Sequence, residues 1–94
     1  MKRELTEEDL ELLDELRIVR YCRPSVLKFA EKMETILRHN DYKDGWEICS
    51  LDYLESRLHE ELKEYKNAVA NMKIDEIVDV ANFCMMISEY WERE

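Results

Sequence analysis

Helix breakers are almost missing from this chain: Pro24 and Gly45 are its only proline and glycine in 94 residues. A backbone so free of interruption is pushed toward an all-α fold, provided that enough apolar side chains exist to pack it. They do exist, because 46% of the residues are hydrophobic against 39% charged. That balance excludes intrinsic disorder. The length suits one domain, 1–94, with a modest core.

Apolar spacing divides the chain into four helices. Thr6 and Asp9 predict a capping box, with Leu5 stapled onto Leu10 and a helix running to about Val19 with Leu10, Leu13 and Leu16 inward. Pro24 interrupts the pattern, and a second helix over roughly 25–39 carries Val26, Phe29, Ala30, Met33, Ile36 and Leu37 on one face. The segment HNDYKDGWEICS then breaks the period as a loop. Ser50 predicts the cap of a third helix, from Leu51 to about Val69 or Ala70, with Leu54, Leu58, Tyr65 and Met72 along its stripe. A turn near residues 71–73 leads to a fourth helix, about Asp75 to Glu92, apolar on nearly every side from Ile77 to Trp91. The expectation is an antiparallel four-helix bundle. So much apolar surface on one helix predicts completion by a homodimer or homotetramer.

Net charge is −9, which argues against a nucleic-acid polymer or an anionic membrane surface as partner. A small phosphorylated ligand stays compatible, since a cation can bridge two negative partners. Cys22, Cys49 and Cys84 form no CxxC pair, so neither a disulfide framework nor a thiolate zinc site is indicated. The charged start MKRELTEEDL and the short apolar run Val78–Ile87, broken by Asp79 and Asn82, give no export signal or membrane span. A reduced, soluble, cytoplasmic protein is expected.

Most of the 23 acidic residues suit a solvated helix face. Glu61 does not, because Leu58 and Tyr65 flank it at helical spacing. Asp79 sits in the apolar fourth helix, a costly place for a carboxylate without a compensating charge. Folding the third helix back on the fourth puts Glu64 about level with Asp79, and Glu61 and Glu76 about a turn away. Carboxylates so grouped raise one another's pKa unless a cation lies between them. Arg57 offers a single positive charge, too little to balance the group. Oxygen-only ligands suit Mg²⁺, with Mn²⁺ as a substitute. The Glu-x-x-His signature of carboxylate-bridged di-iron bundles is missing around His39 and His59.

EELKE (60–64) followed by EIVD (76–79) resembles the EExxE…ExxD pattern of the MazG-like all-α nucleoside triphosphate pyrophosphohydrolases. NDYKDGW (40–46) and DVANFCMMI (79–87) extend the resemblance over roughly 26–91, leaving the helix within 1–24 outside a 25–94 core. The resemblance implies hydrolysis of a (d)NTP to the monophosphate and pyrophosphate, with Mg²⁺ held by Glu61, Glu64, Glu76 and Asp79. Glu60 or Glu61 would orient or deprotonate the attacking water.

Five further residues are substrate-binding candidates. Trp46 either stacks on a base or covers the core, and Lys43 either reaches a phosphate or is solvated. Asn82 bonds a sugar or phosphate, or another helix. Phe83 lines a base pocket or the core, and His39 meets substrate or serves its helix dipole. The alternative function is a non-catalytic helical module that binds a nucleotide or a protein through the same surface.

Overall fold

The computed structural model describes residues 4, 6–40 and 45–94, without the side chains at 13 and 15–20. The described chain is helical, with four α-helices and no strand among the described residues. They are α1 (Glu7–Tyr21), α2 (Pro24–His39), α3 (Leu51–Asn67) and α4 (Lys73–Arg93). Short 3₁₀ turns at Trp46–Ile48 and Ala70–Met72 precede α3 and α4. No described helix is long and apolar enough to cross a membrane.

Contacts divide the chain into two units, Met1–Ala30 and Glu31–Glu94, so the division falls inside α2. The first unit opens with the expected capping box. The Thr6 amide donates to Asp9 Oδ2 at 3.0 Å, and the Asp9 amide donates to Thr6 Oγ1 at 3.1 Å. Leu5 and the Leu13 and Leu16 side chains lie outside the described residues. Leu10, expected inward, is exposed.

The second unit is built on the α3–α4 hairpin. Ser50 caps α3 as its sequence predicts, its hydroxyl accepting from the Tyr53 amide at 3.2 Å. Leu54 on α3 and Val78 on α4 are the fully buried apolar side chains described there, each contributing on the order of 2 kcal/mol of hydrophobic stabilisation. The part of α2 inside this unit, from Glu31 on, is tied to α4 through Asn82, whose Nδ2 donates to the Met33 carbonyl at 3.4 Å.

Both hairpin helices meet earlier than the spacing predicts. α3 stops at Asn67 and α4 begins at Lys73. Val69 and Met72, expected in or beside the α3 stripe, instead lie exposed in the connection. Lys73 closes the hairpin. Its ammonium donates to the carbonyls of Tyr65 (2.6 Å) and Lys66 (3.0 Å), and lies 4.7 Å from the Tyr65 ring centroid. The Tyr65 carbonyl also accepts from the Ala68 amide at 3.3 Å, so Lys73 adds a charged donor at the end of α3, where a cation is favourable.

Candidate metal centre

α3 and α4 bring three carboxylates together. One oxygen from each of Glu61, Glu76 and Asp79 lies within 4.8 Å of the others. Glu61 is 5% exposed, and Glu76 and Asp79 are half-buried. Glu61 Oε2 and Glu76 Oε2 are buried without a hydrogen-bond donor. An ionised oxygen in that condition is costly, and its cost is relieved by a proton or a cation.

The surroundings push the proton affinities up. Burial raises the Glu61 carboxyl from 4.5 to about 7, helped by Glu64, with which it can share a proton, and by Asp79. Asp79 is raised first by burial, then by Glu76, Glu64 and Asp75. Arg57 opposes both shifts. Its Nη2 donates to Glu61 Oε1 at 2.6 Å and its Nη1 to Glu60. Its guanidinium carbon stands 5.4 Å from the Phe83 ring centroid.

One expected member is placed differently. Glu64 was expected level with Asp79, but it is exposed and falls outside the close set, although it acts on both Glu61 and Asp79. The cause is the early hairpin turn, centred near residue 70. Facing pairs slide by twice the displacement of a turn, here about four residues or one helical turn. Glu61 thereby takes the place beside Asp79, and Glu64 lines a separate 410 Å³ groove with Glu76 and Lys63. Glu60, a candidate for activating water, is exposed and paired with the same Arg57 that holds Glu61.

A cleft of 680 Å³ adjoins the cluster, lined in part by Glu61, Asp79, Arg57, Trp46, Asn82 and Phe83. That size accommodates a small-molecule ligand. Asn82 is 3% exposed, and its Oδ1 has no partner. Trp46 is a cleft wall and is also tied to the fold, since its indole Nε1 donates to Glu89 Oε2 at 2.6 Å. Arg93 adds a 3.4 Å bond to the Glu47 carbonyl, holding the same turn to the end of α4. His39 is exposed at the end of α2 and does not line the cleft, whose wall there is Ile36, Leu37 and Asn40. Lys43 lies outside the described residues.

Sequence reasoning counted Arg57 as one charge beside the group without pairing it to Glu61, and it missed Glu89. Arg57 carried a signal, the four-residue spacing to Glu61 on one helix face. Glu89 carried none, because its partner is 43 residues away.

The donor set fits a hard divalent cation: three carboxylates, no thiolate or imidazole, and buried oxygens lacking donors. No family model matches the chain, and no curated protein or solved structure matches it significantly.

Proposed function

We propose that the protein is a Mg²⁺-dependent nucleoside triphosphate pyrophosphohydrolase with a MazG-like fold, converting a (d)NTP to the monophosphate and pyrophosphate. The observation carrying this reading is the meeting of Glu61, Glu76 and Asp79 oxygens within 4.8 Å beside an open cleft. Glu64, exposed nearby, is proposed as a further ligand at the rim. Mn²⁺ is the expected substitute. A bound divalent cation supplies charge neutralisation for phosphate oxygens and polarises a water.

The chain's own groups divide the remaining work. Glu61 belongs to the cluster, and Glu60 is exposed and paired with Arg57. Either carboxylate is a candidate for orienting the attacking water. Trp46 and Phe83 offer aromatic surface for a base. Asn82 donates through Nδ2 to Met33, so its Oδ1 is left to accept from a hydroxyl or amino group. Phosphate oxygens are acceptors and suit the second Nδ2 hydrogen rather than Oδ1.

The test is pyrophosphate release from a panel of dNTPs and NTPs, with Mg²⁺, Mn²⁺ or EDTA. The expected result is metal-dependent turnover that falls by at least about a hundredfold in Glu61→Gln and Asp79→Asn. Folded wild-type protein that releases pyrophosphate from none of them would reject the enzyme reading.

A further inference from the structure

The cleft contains one positive side chain among the described residues, Arg57, and that side chain is already engaged. It holds Glu61 Oε1 at 2.6 Å and Glu60 on the same helix, and rests 5.4 Å from the Phe83 ring centroid. Its side chain is 32% exposed, against 7% for that of Glu61, so it has room to move and its partner does not.

Charge counting gives this arrangement a purpose. Glu61, Glu76 and Asp79 together carry three negative charges when ionised, and Arg57, shared between Glu61 and Glu60, covers at most one. The excess is what a divalent cation would offset. An anionic phosphate chain then adds negative charge that the carboxylates and the metal do not balance. Guanidinium is the group best shaped to meet it, because its forked donors match phosphate oxygens. The cleft is prepared for a polar ligand independently of the acids, since buried Asn82 lines it with an unpartnered Oδ1.

We infer that Arg57 is an exchangeable counter-ion: it holds Glu61 while the cluster is free of metal and turns to the phosphate oxygens of the ligand once a divalent cation occupies the carboxylates. The inference rests on the metal-site reading above and adds a residue to it. The Phe83 ring offers the guanidinium an intermediate support within the cleft by cation–π attraction. Glu60, paired with Arg57 on the same helix, is a second anchor that the guanidinium can keep when it leaves Glu61.

The exchange predicts opposite effects of one substitution on two ligands. Arg57→Gln removes a competitor for Glu61, so Mg²⁺ alone, titrated calorimetrically, should bind about tenfold tighter. That is the scale of repulsion between a guanidinium and a divalent cation at roughly 6 Å in a water-like medium. Inorganic tripolyphosphate, titrated at saturating Mg²⁺, should bind at least about tenfold weaker. Arg57→Lys keeps the charge without the fork, so Mg²⁺ affinity should stay near wild type while tripolyphosphate loses part of its affinity. Circular dichroism on each variant establishes that it is folded.

Unchanged or weaker Mg²⁺ binding by folded Arg57→Gln would overturn the exchange and leave the metal site standing. Undiminished tripolyphosphate binding would do the same. Wild-type protein that binds no Mg²⁺ would remove the metal site, and the exchange with it.

Discussion

Glu61 is the buried carboxylate of the cluster, and its proton reports on its neighbours. Burial, Glu64 and Asp79 hold its pKa at about 7, against 4.5 ordinarily. The folded chain therefore binds this proton more tightly than the unfolded chain does. Stability from the protonated carboxyl is fully present below about pH 4.5 and is lost as pH rises through about 7. Asp79 acts in the same direction. Glutamine imitates the protonated acid at every pH. In EDTA, Glu61→Gln should match wild type near about pH 4.5 and exceed it by on the order of 2 kcal/mol near about pH 8, measured by urea unfolding. A gap that does not change with pH would contradict this placement of Glu61. That Glu61 sits among apolar neighbours was readable from Leu58 and Tyr65. That Glu64 is exposed and outside the three-carboxylate set was not.

At the scale of elements, the helices were legible because their signals are local. Thr6 and Asp9 cap α1, Ser50 caps α3, and Pro24 opens α2. The pairing of α3 with α4 is a different kind of information. It depends on where the connection is centred, and no residue between Ala68 and Met72 is a glycine or proline that would mark the point. Lys73 helps to fix it by bonding the carbonyls of Tyr65 and Lys66. Lys73→Met should lower stability by about 1–2 kcal/mol, since it leaves two carbonyls without a charged donor. Urea unfolding measures this, and an unchanged midpoint and slope would show that the lysine does not brace the hairpin.

For the whole molecule, composition pointed to helix, and the described residues are helical without a strand, yet it could not show how contacts would divide the chain. The division falls within α2, where an unbroken apolar stripe gives no hint of a boundary. The charge of −9 has a consequence at this scale too, because a cation bound anywhere in such a field is held more strongly at low ionic strength. Salt dependence alone therefore does not identify the three-carboxylate centre. The direct test is Mn²⁺ binding followed by electron paramagnetic resonance at moderate salt, in wild type and in Glu76→Gln. Glu76 approaches the cluster from α4 and is not bonded to Arg57. Saturable, stoichiometric binding that weakens by at least about tenfold in Glu76→Gln is the predicted result. Absence of stoichiometric binding, or binding untouched by the substitution, would contradict a metal centre shared between the two helices.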